Sequence, residues 1–145
     1  MFRQIERIKY DELTNENQCG IYGIYANNKL VYIGQSTQME TRWKAHTSYI
    51  ISGRIDYGGN MVRQSVLHFL WDNGFNITFK IICVCTPEEL DRAEQEYIFL
   101  YQPMLNITYN PNPIPAPKKT PMENLHEWWE YTTYIKELKK NNNGN

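Results

Sequence analysis

The sequence lacks the features that mark membrane or secreted proteins. No apolar run approaches the ~20 residues that a membrane span requires, and the first residues show no signal-peptide pattern. Cysteine is scarce, and an odd number of three without a Cys-x-x-Cys pair argues against disulfides and against zinc. We therefore expect a soluble, cytoplasmic protein in which Cys19, Cys83 and Cys85 are reduced, small, buried hydrophobic residues.

An excess of charge of one sign is also missing. Fifteen Lys and Arg residues against 16 Asp and Glu residues give a formal net charge of -1. This balance excludes a protein that coats nucleic acid through bulk positive charge. Nucleic-acid binding would need a local basic face, for which the available residues are Arg42, Lys44, Arg54, Arg63 and Lys80. Such scattered cations are equally common on an ordinary solvated surface.

The chain does have enough apolar residues for one domain, with 41% hydrophobic and 14% aromatic content. Residues 21–26 and 30–35 are two runs of strand-forming residues that flank Asn27-Asn28-Lys29. Because asparagine tolerates the positive φ of a tight turn, this pattern predicts a β-hairpin. The β-branched run Ile77–Val84 predicts a third strand of the same sheet.

Three helices are predicted around this sheet. Thr37, with a glutamate three residues later, is a capping-box signal for the first helix, which should end near Ser52-Gly53. The second covers residues 61–71, and the third starts at the cap formed by residues 86–89 and ends before Pro103. The order strand, strand, helix, helix, strand, helix predicts a small α/β sandwich with a three-stranded, mostly antiparallel sheet.

The remaining segments are interpreted separately. Residues 1–17 are an N-terminal extension with too little pattern to assign, and residues 18–108 form the domain. The proline-rich residues 109–121 predict an extended linker. Residues 122–140 predict a further helix with a broad Trp- and Tyr-rich side, and residues 141–145 a disordered tail. The alternatives for this helix are packing on its own domain, a homodimer or partner surface, and stacking on nucleic-acid bases.

One carboxylate stands where an apolar residue is expected. The apolar residues of the third helix form one stripe on a helical wheel: Leu90, Ala93, Tyr97, Ile98 and Tyr101. Glu94 falls inside this stripe, whereas Glu96 points the opposite way. Because a buried carboxylate without a partner is costly, Glu94 should pair with a cation, bind a metal or be protonated at a cleft edge. From this helix alone, a structural salt bridge to an arginine is the simplest explanation.

The first helix carries a second polar set. Arg42, His46 and Tyr49 follow one another at i, i+4 and i+7 along the flank of the buried stripe around Trp43. An arginine forks toward phosphate oxygens, and a histidine titrates near neutrality. The pair suits phosphoryl transfer, although each residue type is also common on helix surfaces.

These features belong to one larger combination. In chain order it comprises Gly20-Ile21-Tyr22, Tyr32-Ile33-Gly34, Arg42, His46, Glu94 and Asn106. The combination closely resembles the GIY-YIG endonuclease family, over roughly residues 20–106. Two departures are a slightly short spacer between the tripeptides and Gln35, at a position where some members carry a lysine.

The resemblance implies a metal-dependent DNA endonuclease. By analogy, Tyr22 aids water activation beside Tyr32, Arg42 holds the phosphate, His46 relays a proton, and Glu94 binds a single Mg²⁺ or Mn²⁺. Without the lysine that Gln35 replaces, more of the role of base falls to His46.

The resemblance also implies supporting residues. Gly20, Gly34 and Asn106 would shape the site, with Asn106 fixing the end of the third helix. Among the basic residues named above, Lys44, Arg54 and Arg63 are the candidates for contacts to double-stranded or branched DNA. Two other classes of function stay open: a nucleic-acid-binding or regulatory module without turnover, and a plain α/β interaction protein that uses the aromatic C-terminal helix.

Overall fold

The structure is a computed structural model and describes residues 7–11, 18–56 and 60–113 of the chain. Its elements are β1 (Ile8–Tyr10), β2 (Gly20–Ala26), β3 (Lys29–Ser36), α1 (Met39–Ser52), α2 (Met61–Asp72), β4 (Ile77–Val84), a 3₁₀ turn (Pro87–Glu89) and α3 (Leu90–Tyr101). The predicted α/β class is confirmed, and so is the element order from the hairpin onward.

The hairpin is formed by β2 and β3, which pair in antiparallel register from Ala26 opposite Lys29 to Gly20 opposite Ser36. Asn27 and Asn28 turn the chain with φ values of 47° and 70°. Positive φ at both central residues gives the turn a twist that matches the strands, as the asparagine pair predicts.

The sheet has four strands in the order β1-β4-β2-β3, so the prediction of three strands is wrong. The added strand β1 lies in the segment assigned to an N-terminal extension and runs parallel to β4, with Ile8 opposite Ile77. Ile8 is buried in the core, and the main chain after it continues the pairing through Asp11 N–H to the Phe79 carbonyl, 2.8 Å. Three residues are too few to display an alternating pattern in the sequence.

The start of α1 differs from the prediction. Gln38, and not Thr37, is the N-cap residue, and no side chain caps this end. The amide of Met39 instead donates to the main-chain carbonyl of Gln18 at 2.9 Å, and that of Gln38 to Ser36 Oγ at 2.9 Å. A tertiary contact thus satisfies a helix-start amide for which a capping box was expected.

The other helix ends follow the sequence signals. α1 ends at Gly53, whose φ of 71° suits glycine. Asn60 caps α2 by accepting a hydrogen bond from the Arg63 amide at 2.9 Å. Thr86 and Glu89 form a capping box before α3, and α3 ends ahead of Pro103 as expected.

The sheet separates two groups of buried side chains. One face packs against α1 and α2 through a large cluster that includes Trp43, Leu70 and Phe79. The other face packs against α3 through a smaller cluster that includes Ile21 and Ile98.

The three cysteines border the smaller cluster. Cys19, Cys83 and Cys85 are free, but they are half-buried and not fully buried as expected. Cys83 lies on β4, and Cys85 directly follows that strand, where the chain continues toward α3.

Several predicted segments lie outside the described residues: 1–6, 12–17, the greater part of the linker, the helix at 122–140 and the tail at 141–145. The start of the predicted linker packs on the domain. The buried side chain of Asn110 donates through Nδ2 to the main-chain carbonyls of Pro103 and Asn106, both at 2.8 Å. No helix within the described ranges is long and apolar enough to cross a membrane.

The free edge of β3 is closed by Asn106. Its Oδ1 accepts a hydrogen bond from the Ile33 amide at 2.8 Å, and its Nδ2 donates to the Ile33 carbonyl at 2.9 Å. The Leu105 amide donates to the Val31 carbonyl at 2.9 Å. A buried side chain therefore takes the place of a neighbouring strand, which satisfies main-chain groups that an edge would leave unpaired.

We expect Asn106→Ala to lower the free energy of unfolding by about 2–4 kcal/mol, because both Ile33 groups lose their partner in a buried position. Urea unfolding followed by circular dichroism measures the change. The matched control is Asn112→Ala, which removes an exposed amide that donates to Gln102 and should cost less than about 0.5 kcal/mol. Equal losses in the two variants would contradict the edge role of Asn106.

Candidate active site

The ring of Tyr22 crosses β3 at Gly34, a position that only glycine can occupy. Tyr22 on β2 is opposite Gly34 on β3, and its ring is almost completely buried. A Cβ at Gly34 would lie 2.5 Å from both Cζ and Oη of Tyr22. Gly20 is constrained in the same way, because a Cβ there would overlap the main-chain carbonyl of Cys83. Gly34 therefore makes room for the tyrosine, and Gly20 allows the close approach of β2 to β4.

The hydroxyl of Tyr22 meets His46 from α1. The distance from Tyr22 Oη to His46 Nε2 is 2.8 Å, and the pair is buried. His46 is only 5% exposed and belongs to the buried stripe of α1, so its prediction as a flank residue is wrong. Its ring stacks on Phe79 at 6.0 Å between centroids and makes an edge contact with Tyr32 at 6.2 Å.

Arg42 lies close to the Tyr22 hydroxyl, and its charge acts to lower the pKa of that phenol. Arginine can only donate, whereas a phenol oxygen can both donate and accept. The tautomer of His46 therefore sets the direction of the bond, and the Tyr22 hydroxyl donates to Nε2 when the His46 proton is on Nδ1. Burial, followed by the charges of Arg63 and Arg42, holds the pKa of His46 well below its ordinary value.

Burial has the opposite effect on the phenol. It raises the pKa of Tyr22 well above the ordinary value of a tyrosine, and the charges of Arg42 and Arg63 offset only part of that rise. At neutral pH the resting pair is therefore a protonated tyrosine and an uncharged histidine, 2.8 Å apart.

Tyr32 is held by Arg63 from α2. Arg63 Nη1 donates to Tyr32 Oη at 3.3 Å, and the guanidinium carbon lies 5.2 Å from the centroid of the tyrosine ring. Arg63 is only 8% exposed, so it does not belong to a solvent-exposed basic surface.

The three remaining cations of the predicted basic face, Lys44, Arg54 and Lys80, are exposed. Lys44 Nζ lies 3.4 Å from Glu40 Oε1, and the guanidinium of Arg54 lies 5.0 Å from the Tyr49 ring centroid.

Glu94 lies on the opposite side of β3. It is half-buried on α3, and burial raises the pKa of its carboxyl, which a hydrogen bond from Gln35 lowers in part. Gln35 Nε2 donates to Glu94 Oε1 at 3.2 Å and to Asp91 Oδ1 at 2.9 Å. Among the described residues the ion pairs are Lys44–Glu40 and Arg92–Glu96, so the salt bridge to arginine considered for Glu94 is not formed there.

The exposure of the residues on the outer side of α3 agrees in part with the helical-wheel prediction. Glu96 is exposed, as expected, and pairs with Arg92 at 3.1 Å. Tyr101 is 54% exposed, so its assignment to the buried stripe is wrong. It stacks on Tyr97 at the end of the helix.

Tyr32 and Glu94 face one cavity of about 340 Å³, whose wall also includes Asn60, Asn106 and residues 107–109. Within residues 7–11, 18–56 and 60–113 no group of three or more His, Cys, Asp or Glu side chains could hold a metal ion. A Mg²⁺ site does not require such a group, because this ion is often held by one or two carboxylates together with waters and substrate phosphates. The half-buried Glu94, without a cation partner among the described residues, fits that role.

A family model that describes the GIY-YIG catalytic domain matches residues 18–110. The chain belongs to the GIY-YIG family. This membership supports nuclease activity. Among solved structures, that of a mutant of bacteriophage T4 EndoII is similar in fold, with a TM-score of 0.50 and 21% sequence identity, over 67% of this chain and 79% of that one. A comparison with curated proteins gives no significant match.

Two residues of this GIY-YIG domain have neighbours that the sequence analysis missed. Arg63 precedes Val66, Leu67 and Leu70 at i+3, i+4 and i+7, so a helical wheel would have placed it in the apolar stripe of α2. The contact of Gln35 with the two carboxylates had no such signal, because it depends on how α3 docks beside β3.

We expect His46 to make the stability of the domain sensitive to mild acid. Its pKa is lowered in the folded state, so the unfolded chain binds the proton first as the pH falls below about 6.5. The stabilisation is complete above that pH and is lost below it, by at most about 1.4 kcal/mol per pH unit. Urea unfolding between pH 7.5 and pH 5 measures the slope.

The control is His46→Gln, which keeps a polar side chain but does not titrate. Its stability should fall less steeply than that of the wild type over the same pH range. Parallel curves for the two proteins would show that His46 is not held neutral by burial.

Proposed function

We propose that the chain is a divalent-metal-dependent DNA endonuclease that hydrolyses phosphodiester bonds. The observation that carries this proposal is the half-buried Glu94, which shares a cavity with Tyr32 and has no cation partner among the described residues. A carboxylate kept in that state is suited to a metal ion that arrives with an anionic substrate.

Glu94 would hold Mg²⁺ or Mn²⁺. Once bound, the ion would supply positive charge to the scissile phosphate and to the leaving oxygen. Gln35 holds the Glu94 carboxylate in place, and Asp91 adds negative charge on the same side, which favours a cation there.

The proton relay would run through Tyr22 to His46. As water attacks phosphorus, its proton passes to the Tyr22 oxygen, and the Tyr22 proton passes to His46 Nε2 at 2.8 Å. The bond to the leaving oxygen breaks, and that oxygen takes a proton from solvent. The raised pKa of Tyr22 argues against a lasting phenolate and for transfer of both protons together.

Substrate contacts would come from the cations around this pair. Arg42 would hold a non-bridging phosphate oxygen, and the exposed Lys44 and Arg54 would contact the backbone of double-stranded or branched DNA. A cytoplasmic location and a homodimer through residues 122–140 stay predictions from the sequence.

We expect Glu94→Gln to slow nicking of supercoiled plasmid by about 100-fold or more in the presence of Mg²⁺ or Mn²⁺, because it removes the charge that binds the metal. Tyr22→Phe should slow the reaction by about 100-fold or more, since it removes the proton path. Single-turnover rates on agarose gels measure both effects.

The matched control is Glu96→Gln, two residues further along the same helix. Glu96 is exposed and pairs with Arg92, so this variant should nick plasmid at the wild-type rate. No nicking by the wild-type protein on plasmid, linear or branched DNA would overturn the proposed activity. Full activity of Glu94→Gln would overturn only the assignment of the metal ligand.

A further inference from the structure

Arg63 is a buried cation without a carboxylate partner in the part of the chain that the structure describes. It is 8% exposed, and its Nε atom has no hydrogen-bond partner there. Its guanidinium donates a hydrogen bond to the Tyr32 hydroxyl. Removing a guanidinium from water without an opposite charge is costly, and an apolar residue would suit this position of α2 better.

The start of α2 fixes this arginine beside the cleft. Asn60 is the N-cap residue and lines the cavity, and its Oδ1 accepts a hydrogen bond from the Arg63 amide. The guanidinium then spans from the helix to Tyr32, which lines the same cavity.

The polarity of the contact follows from the chemistry of the two groups. A guanidinium has five N–H donors and no acceptor, so the Tyr32 oxygen must accept from Arg63. The hydroxyl proton of Tyr32 therefore points away from Arg63 and is free to be donated to another group.

We propose that Arg63 is a positioning residue that orients the Tyr32 hydroxyl as a hydrogen-bond donor to a phosphodiester oxygen in the cleft. The inference rests on the proposed nuclease function. It gives Arg63 a role different from that of a surface cation on the DNA backbone, because the residue acts through Tyr32. The charge of Arg63 offsets part of the rise that burial causes in the pKa of Tyr22, and it adds to the effect of burial in lowering that of His46, which agrees with a place near the centre of the site.

A double-mutant cycle tests this role. The variants are Arg63→Met, Tyr32→Phe and the double variant, with Arg92→Met as the matched control, because Arg92 is an exposed arginine paired with Glu96. Single-turnover cleavage of plasmid is measured at saturating protein with Mg²⁺, together with DNA affinity and the melting temperature of each variant. Arg63→Leu also removes every donor, and it replaces Arg63→Met in the cycle if that variant does not fold.

We expect Arg63→Met to slow cleavage by about tenfold to a hundredfold, the effect of losing one hydrogen bond from a charged group. In the Tyr32→Phe background the same change should slow cleavage by less than about twofold, because there is no hydroxyl left to orient. DNA affinity should change by less than about threefold, and Arg92→Met should match the wild type.

Two results would overturn the role of Arg63 while leaving the nuclease function intact. One is an equal loss of rate in both backgrounds. The other is a loss of DNA affinity with a shallower salt dependence, which would mark a direct phosphate contact. Absence of cleavage by the wild-type protein on any DNA would instead overturn the proposed function, and this inference with it.

Discussion

The hydrogen bond between Tyr22 and His46 joins the sheet to α1 at the centre of the molecule. It forms because Gly34 has no Cβ and lets the Tyr22 ring cross β3. Both side chains are buried, so each would be costly without the other. The sheet register, Gly34 and the docking of α1 therefore all determine this one 2.8 Å distance, and the packing that stabilises the fold also brings the two titratable groups together.

The edge strand β3 divides the site into two electrostatic halves. On one side Arg42 and Arg63 lie near the tyrosine and histidine pair, and burial together with their charges keeps His46 neutral. On the other side Gln35 holds two carboxylates, Glu94 and Asp91. In the proposed reaction, a phosphodiester in the cavity that Tyr32 and Glu94 share would meet the arginines on one side and a cation held by Glu94 on the other.

The sequence predicts those features whose signals are local. The Asn27-Asn28 turn and the apolar stripe around Glu94 could both be interpreted from neighbouring residues, and the same stripe argument on α2 would have identified Arg63 as buried. The strand around Ile8 was missed because three residues show no period. The contacts of Gln35 depend on how α3 packs against β3, which no spacing in the sequence records.

The protonation state of His46 is the most direct test of the proposed proton transfer from Tyr22. Long-range ¹H–¹⁵N correlation spectra at neutral pH distinguish the two neutral tautomers of a histidine from each other and from the charged form. We expect an uncharged His46 ring with its proton on Nδ1 and a bare Nε2 that accepts from Tyr22. A protonated Nε2, in either the neutral or the charged ring, would contradict it, because His46 could not then receive the Tyr22 proton.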